Sequence, residues 1–405
     1  MLDIEKIRAE FPILEREVYG KKLIYLDSAA TAQKPRCVVE KMSELLLNDN
    51  ANIHRGVHLL SEEMTLKYEE ARELVRQFVG AKHREEIVFT SGATMSLNLV
   101  ASSYCEKFLH EGDNVVVSHI EHHSNIVPWQ LAVERKGAEL RVIPVADSGE
   151  LELGTLDTLI DERTKVVAIT QASNTLGTRP DLARIIAKAH SVGAVVVVDG
   201  CQGVVHGGVD VTALDCDFYA FSGHKLYGPT GIGVLYGKRE LLDAMPPYMG
   251  GGDMVDKVSF AKTTYAPLPL KFEAGTSNYI GAVGLAEAIK FLQSFSAEDI
   301  EQHEKMLLEY ATEQLLQIEG VHIYGTTDNK TPIISFNVKG CDHYDIGMIL
   351  DKQGVAVRTG HHCAEPVMAR YGTNGVVRAS IALYTNKEDI DIFVKALKRA
   401  VVMLK

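Results

Sequence analysis

Short apolar runs alternate with stretches of helical periodicity between residues 87 and 236. Several runs, such as 194–198, are apolar at every position, which is typical of strands buried on both faces of a parallel sheet. The residues between them, for example 94–110 and 181–191, have the periodicity of helices. This alternation predicts an α/β fold in which helices cover a mostly parallel sheet. The predicted strands are 87–90, 114–118, 139–144, 165–170, 194–199, 217–221 and 232–236.

The pattern changes after residue 247. Residues 248–276 are rich in Gly, Pro and Lys, and they predict a long irregular segment of the kind that is usually functional or interfacial. Helices are predicted again at 280–295 and 297–317, followed by strands at 321–324 and 333–338. The last helix has one apolar face, which is formed by Ile390, Phe393, Val394, Leu397, Val401 and Leu404.

These two patterns predict two domains. A large domain over 20–280 would contain the first sheet and bind the ligand. A smaller α+β domain would combine 1–19 with 281–405 and carry the loop that contains Cys363.

Composition and charge narrow the class of protein. The 405 residues include 54 acidic and 42 basic ones, and the formal net charge of −12 argues against nucleic acid or an anionic membrane as a partner. No apolar run approaches the about 18 residues that span a bilayer. The N-terminal residues are charged where a signal peptide needs an apolar core, so a cytoplasmic location is predicted. The six cysteines form no C-x-x-C pair and are too sparse for a disulfide framework.

Two predicted strand ends carry the first chemical signal. One strand ends at Asp199, and another runs directly into Ser222-Gly-His-Lys225. Open α/β sheets bind ligands beyond the carboxyl ends of their strands. An Asp and a Lys at that place suit pyridoxal phosphate, because the Lys forms a Schiff base with the aldehyde and the Asp keeps the ring nitrogen protonated. The alternative is a buried Asp–Lys ion pair, which is costly unless the two charges are well paired.

A phosphate site and a ring-stacking residue are predicted nearby. The segment Thr90-Ser-Gly-Ala-Thr94 follows a strand and opens a helix, so it offers free N–H groups and the positive end of a helix dipole. A simple capping turn is the alternative for this segment. His122 follows another strand and could stack on a cofactor ring. No P-loop and no G-x-G-x-x-G motif is present.

A zinc site is the rival interpretation of the histidines. Three of them lie close together in sequence, and two more lie beside a cysteine near the C-terminal end. Neither a Cys pair nor an H-E-x-x-H motif accompanies them, so no metal is predicted. The residues concerned are His119, His122, His123, His361, His362 and Cys363.

Several motifs together resemble a known family. The motifs, taken in their order along the sequence, resemble those of the SufS-type (group II) cysteine desulfurases and the selenocysteine lyases of the class-V aminotransferases. The likeness covers nearly the whole length of the chain. The motifs that carry it are LDSAATAQKP, HRGVH, EHHSNIVPWQ, DGCQG, SGHKLYGPTGIG, FEAGTSN, RTGHHCA and VRAS.

The resemblance implies a fold-type-I homodimer that binds pyridoxal 5′-phosphate. Residue by residue, it implies that one lysine holds the cofactor, that two residues contact the ring's polar atoms, and that one histidine stacks on the ring. Three residues would bind the phosphate, with a fourth contributed by the other subunit, and two would bind the substrate carboxylate. In that order these are Lys225; Asp199 and Gln202; His122; Thr94, Ser222 and His224; Thr276; and Arg378 and Asn174.

The implied reaction converts L-cysteine to L-alanine and leaves a persulfide on Cys363. Lys225 and His122 would be catalytic together with that thiol. The sulfur would pass to a SufE- or SufU-like acceptor protein and serve iron–sulfur cluster assembly. The alternative within the family is selenocysteine lyase. Other pyridoxal-phosphate reactions need no Cys363, and a non-catalytic sulfur carrier or zinc protein lies outside the class.

Overall fold

The computed structural model describes residues 2–405 and contains two main sheets. The larger sheet has seven strands in the order β1-β7-β6-β5-β4-β2-β3, and only β7 runs antiparallel to its neighbours. Every predicted strand of this sheet is present, with ends shifted by at most one residue. The strands are β1 (Ile87–Thr90), β2 (Asn114–Ser118), β3 (Glu139–Ile143), β4 (Thr164–Thr170), β5 (Val195–Asp199), β6 (Phe218–Ser222) and β7 (Gly233–Gly237).

Both faces of this sheet are buried. Along β5, Val196 and Val198 belong to one apolar core, whereas Val195 and Val197 belong to a second core on the other face. This explains why the strand is apolar at every position. The covering helices include Arg36–Glu44, Leu59–Val79, Ala93–Phe108, Val127–Lys136, Leu182–Ser191 and Tyr279–Gln293, and shorter helices are Ile4–Ala9, Leu156–Leu159, Val211–Leu214 and Arg239–Ala244.

The smaller sheet has four antiparallel strands in the order β8-β9-β11-β10. Three helices pack around it and around one another, and its apolar side chains form a third core. A short helix, Glu365–Arg370, follows β10 after a tight loop. The strands are β8 (Val321–Tyr324), β9 (Ile333–Val338), β10 (Arg358–Gly360) and β11 (Val376–Ser380), and the helices are Ala297–Leu316, His343–Lys352 and Lys387–Leu404.

Short strands complete the fold. Ile24–Tyr25 pairs with Val355–Ala356, so the N-terminal segment joins the C-terminal part of the chain. A hairpin of Val255–Val258 and Thr263–Tyr265 lies within the segment predicted to be irregular, and that prediction is therefore wrong for these residues. Both hairpin strands are mostly exposed, so no alternation of apolar residues marks them. The remaining short pair is Glu17–Val18 with Lys21–Lys22.

The division into domains at residues 20–280 stays a prediction. Helix Tyr279–Gln293 packs against Leu59–Val79 and Arg36–Glu44, and its apolar residues belong to a core of the large sheet. None of the helices within residues 2–405 combines the length and the apolar character that crossing a bilayer requires.

Candidate active site

Asp199 and Lys225 lie at the carboxyl edge of the large sheet. Strand β5 ends at Asp199, the parallel neighbour β6 ends at Ser222, and a single helical turn follows that ends at Lys225. Asp199 is buried, and its Oδ1 accepts the N–H of Cys201 at 3.0 Å. Within residues 2–405, Asp199 and Lys225 do not form an ion pair with each other or with any other side chain. The alternative of a structural ion pair is therefore wrong.

His122 lies at the same edge of the sheet, in the turn that follows β2. Burial, together with the positive charge of Lys225, lowers the pKa of His122 to about 4, while the charge of Asp199 opposes that effect. The ring nitrogen Nδ1 accepts the N–H of Ser124 at 3.1 Å. At neutral pH His122 is therefore an uncharged ring held beside Lys225 and Asp199.

The N-terminus of helix Ala93–Phe108 faces this edge. No side chain caps this helix, and the N–H of Ala93 donates to Ser222 Oγ at 2.9 Å. Gly92 precedes it with a φ of +155°, and a Cβ there would lie 3.3 Å from Ser222 Oγ. Thr94 is exposed in the first turn. Thr90 Oγ1 accepts the N–H of Gly92 at 3.3 Å, as in a capping turn, but the N–H groups of Thr94 and Met95 have no partner among the described residues and are open to a ligand.

The N-terminal segment after Leu26 crosses the same edge. Gln202 Nε2 donates to the carbonyl of Ala29 at 2.8 Å. The carbonyl of His224 accepts from Lys34 Nζ at 2.8 Å and from the N–H of Ala32 at 3.1 Å. Burial lowers the pKa of His224 to about 4, assisted by the charge of Lys225. These bonds fix the backbone of the residue that precedes Lys225.

Arg378 and Asn174 form a second group. Arg378 is 1% exposed; its Nη1 donates to the Asn174 carbonyl at 2.8 Å and its Nη2 to Asp27 Oδ1 at 3.0 Å. Arg378 Nε and Asn174 Oδ1 are buried without a hydrogen-bond partner. Unpaired buried polar atoms are costly, so a donor and an acceptor are available here for a ligand.

The Cys363 loop joins the two groups. The N–H of His123 donates to the Cys363 carbonyl at 2.8 Å, and Asn174 Nδ2 donates to the His362 carbonyl at 2.8 Å. His362 and Cys363 both have positive φ values, +53° and +56°, which side chains other than Gly rarely adopt. The thiol is half-buried, and its loop is anchored on both sides by the predicted site.

Thr276 is not brought to this group by any hydrogen bond of the described residues. It is exposed, and it follows Glu273, a buried carboxylate that accepts from both Nη atoms of Arg72. Its predicted contact with a second subunit stays a prediction.

The zinc interpretation receives no support from the geometry. Residues 2–405 contain no group of three His, Cys, Asp or Glu side chains arranged to hold a metal ion. The ring of His123 instead stacks on His361, with centroids 6.1 Å apart.

Three residues of the site have no predicted role from the sequence. Asp27 binds Arg378, Lys34 binds the His224 carbonyl, and the fully buried Glu121 accepts from Ser118 Oγ at 2.6 Å and from other donors. Burial raises the pKa of Glu121 to about 8. Asp27 and Lys34 lie in the motif LDSAATAQKP and Glu121 lies in EHHSN. Membership of these motifs is therefore the sequence signal that could have identified the three residues.

The comparisons with known proteins match the chain to one family. The model of the family described as aminotransferase class-V matches residues 24–393. Cysteine desulfurases of Enterobacter sp. (strain 638) and Dickeya dadantii (strain 3937) are 51% and 49% identical over 397 residues, covering 98% of this chain and 98% and 96% of theirs. The solved cysteine desulfurase CsdA of Escherichia coli has a TM-score of 0.93 at 42% identity and is covered completely, as is this chain. The apo cysteine desulfurase of Thermococcus onnurineus NA1 has a TM-score of 0.95 at 40% identity, covering 100% of this chain and 99% of that one.

The chain belongs to the aminotransferase class-V family, whose members depend on pyridoxal phosphate. Within that family it is an enzyme of the cysteine desulfurase kind. The predictions of family, fold class and cofactor are thereby confirmed. Assignment to the SufS type stays a prediction, and the selenocysteine lyase alternative is not favoured, since the relatives named above are cysteine desulfurases.

The side chains at the sheet edge fit pyridoxal phosphate. Asp199 is a buried carboxylate that lacks a cationic partner among residues 2–405, as a site for a protonated ring nitrogen requires. Lys225 Nζ makes no hydrogen bond to the described protein, so its amine is available. A Cβ at Gly233 would lie 2.4 Å from Gly92 Cα, which shows how closely the backbones approach behind the open helix N-terminus.

Proposed function

We propose that the enzyme converts L-cysteine to L-alanine and retains the sulfur as a persulfide on Cys363. One observation carries this proposal. The carbonyls of His362 and Cys363 are bound by Asn174 and by His123, so the loop that carries the thiol is held both by a residue of the proposed carboxylate site and by the neighbour of His122 in the proposed cofactor site.

Asp199, Gln202 and His122 would hold the cofactor ring, and Lys225 would attach to its aldehyde. The phosphate would lie at the open N-terminus of helix Ala93–Phe108. The residues proposed to bind it are Thr94, Ser222 and His224, with Thr276 from the second subunit of a homodimer. When bound, pyridoxal phosphate supplies a ring that accepts the electron pair released at the substrate Cα.

The chain's own residues would then act in sequence. Arg378 and Asn174 bind the substrate carboxylate, a task that suits a guanidinium fork. The substrate amine would displace Lys225 from the aldehyde, and the freed Nζ of Lys225 would take the Cα proton. The Cys363 thiolate would attack the substrate sulfur, so that the new S–S bond forms as the Cβ–S bond breaks. Cβ would keep the electron pair of that bond and take up a proton, and return of the Cα proton from Lys225 Nζ would complete alanine. Uncharged His122 adds no second positive charge beside Lys225.

Partners follow from the same proposal. Large apolar side chains are exposed in one stretch of sequence, which favours a homodimer. The half-buried thiol on a tight loop favours an acceptor protein of the SufE or SufU type over free diffusion of the sulfur. A role in iron–sulfur cluster assembly in the cytoplasm is part of this proposal. The exposed apolar residues are Leu46, Leu47, Val57, Leu59, Leu60 and Leu66.

The test is Cys363→Ala. The variant should lose sulfur release from L-cysteine by more than 100-fold, because no other group would accept the sulfur. It should keep the absorbance of the bound cofactor, and L-cysteine should still perturb that absorbance. Sulfide and alanine are measured in parallel.

Cys341→Ala is the matched control, since Cys341 is also half-buried and free but lies after β9, outside the site. It should behave as the parent enzyme does. If Cys363→Ala releases sulfur at the parent rate, the persulfide proposal is wrong and the thiol is structural.

A further inference from the structure

A fully buried acid lies next to His122 in the sequence and takes no part in the reaction proposed above. Glu121 is 0% exposed, and Ser118 Oγ donates to its Oε1 at 2.6 Å. Among residues 2–405, no Lys, Arg or His forms an ion pair with Glu121. A buried acid without a cationic partner is costly unless hydrogen bonds satisfy its oxygens. The remaining contacts of Glu121 therefore indicate what this acid does.

The side chain of Glu121 joins two segments of the cofactor edge. Its Oε1 accepts the N–H of Thr170 at 3.0 Å, and Thr170 ends β4 directly opposite Asp199 on β5. Its Oε2 accepts from Asn125 Nδ2 at 2.7 Å. Residues 119–125 are called the His122 loop below. Glu121 therefore ties both ends of a hydrogen-bonded chain together and fixes the His122 loop to the strand end beside Asp199.

The direction of these hydrogen bonds requires an acceptor at both oxygens of Glu121. The indole Nε1 of Trp129 can only donate, and it donates to Asn125 Oδ1 at 3.0 Å. Asn125 therefore presents its Nδ2 group to Glu121, while Thr170 presents a backbone N–H on the other side. An amide at position 121 has a single accepting oxygen, so it would leave one of these two buried donors without a partner.

We propose that Glu121 is a positioning residue that holds the ring of His122 against the cofactor ring. This inference rests on the proposed contact between His122 and the cofactor. The hydrogen bonds that the His122 ring makes are both with Ser124, which belongs to the same loop, so the ring moves with the loop. The place of the ring relative to Asp199 therefore depends on the bond from Thr170 to Glu121.

The experiment measures Glu121→Gln in the holoenzyme, both alone and combined with His122→Ala. One readout is the circular dichroism of the cofactor's absorption band, which depends on what surrounds the ring, and the others are kcat and KM for L-cysteine. Alone, Glu121→Gln should change this band and lower kcat by about tenfold, because the ring is displaced but not removed. KM should stay within about twofold, because the proposed carboxylate site is untouched.

The double variant separates positioning from a general structural role. In the His122→Ala background, Glu121→Gln should change neither the band nor kcat further, because the ring that it positions is absent. Equal effects in both backgrounds would overturn the inference. Asn125→Ala gives a second measurement should Glu121→Gln not fold. It removes the donor to Oε2, and its effect should likewise disappear in the His122→Ala background; an equal effect in both backgrounds overturns the inference as well.

Glu86→Gln is the matched control. Glu86 is also a buried acid that accepts a backbone N–H, from His83 at 2.9 Å, but it lies directly before β1, at the opposite edge of the large sheet. It should keep the parent band and kcat. If His122→Ala changes the band and Glu121→Gln does not, the inference alone is wrong. If the band responds as expected in a parent enzyme that makes no alanine from L-cysteine, the inference holds and the proposed reaction is wrong.

Discussion

The two ends of the site are built in different ways. At the cofactor end, Asp199 and Ser222 end two neighbouring strands, His122 lies after a third strand of the same sheet, and the parallel direction of these strands brings the three residues to one edge. At the sulfur end, which is the part of the site beside the Cys363 loop, Arg378 donates hydrogen bonds to Asp27 and Asn174. These two residues come from segments far apart in the chain. One end follows from the geometry of a parallel sheet, and the other depends on how two sheets and the N-terminal segment pack. The two ends should therefore fail independently.

Lys225→Ala tests the cofactor end and should have the largest effect. Turnover of L-cysteine should fall below detection, because the other amine at this edge, Lys34 Nζ, is bound to backbone carbonyls and does not replace Lys225 in attaching to the cofactor or taking the Cα proton. The far-ultraviolet circular dichroism should be unchanged, and the absorbance of the lysine-bound cofactor should disappear. Lys257→Ala, in the exposed hairpin, is the control and should retain both signals. Normal alanine production by Lys225→Ala would refute its role.

Arg378→Lys tests the sulfur end with a smaller effect. An ammonium is a point charge and cannot contact Asp27, the Asn174 carbonyl and a substrate carboxylate in one plane. The KM for L-cysteine should rise about 100-fold, since a bidentate pair is lost, with a smaller change in kcat. The absorbance of the bound cofactor should stay as in the parent. A change in cofactor affinity as large as the change in KM would show that the two ends are not independent.

Most of the cofactor end could be predicted from the sequence. A run that is apolar at each position and ends in Asp199 is best interpreted as a buried strand with an acid at its carboxyl end. The large sheet has the strands that the alternation predicts. Motif resemblance then identified Arg378 and Asn174, which the structure brings together. Periodicity alone does not pair β11 with the segment around residue 27, since that contact joins residues from opposite ends of the chain.

The residues that sequence reasoning missed share one physical property. Asp27, Lys34 and Glu121 act on other site residues through buried hydrogen bonds, and their partners are known only once the chain is packed. The hairpin Val255–Val258 with Thr263–Tyr265 was missed for the opposite reason, because it is exposed and lacks an apolar face.

The smallest expected effect is on the pH dependence of the free energy of unfolding, to which histidines at both ends of the site contribute. Burial lowers the pKa of His122 and His224 at the cofactor end to about 4, and that of His362 at the sulfur end to about 2, from an ordinary value of 6.5. Above pH 6.5 each ring is neutral in the folded and unfolded chains, so its contribution to stability is complete. Below pH 6.5 these histidines bind protons in the unfolded chain but stay neutral in the folded chain. The free energy of unfolding therefore falls as the pH falls toward 4.

His362→Asn should therefore make this acid-induced loss shallower. One proton fewer would be taken up on unfolding, which is worth at most about 1.4 kcal/mol for each pH unit below 6.5. The free energy of unfolding of the holoenzyme is measured in denaturant at pH 7, 6 and 5, and the slopes of variant and parent are compared. His110→Asn, at an exposed position, is the control and should keep the parent slope. An unchanged slope for His362→Asn would mean that this ring takes up its proton without unfolding. Acid would then open the sulfur end locally while the cofactor end stays closed, and the mobile part of the site would be the loop that carries Cys363.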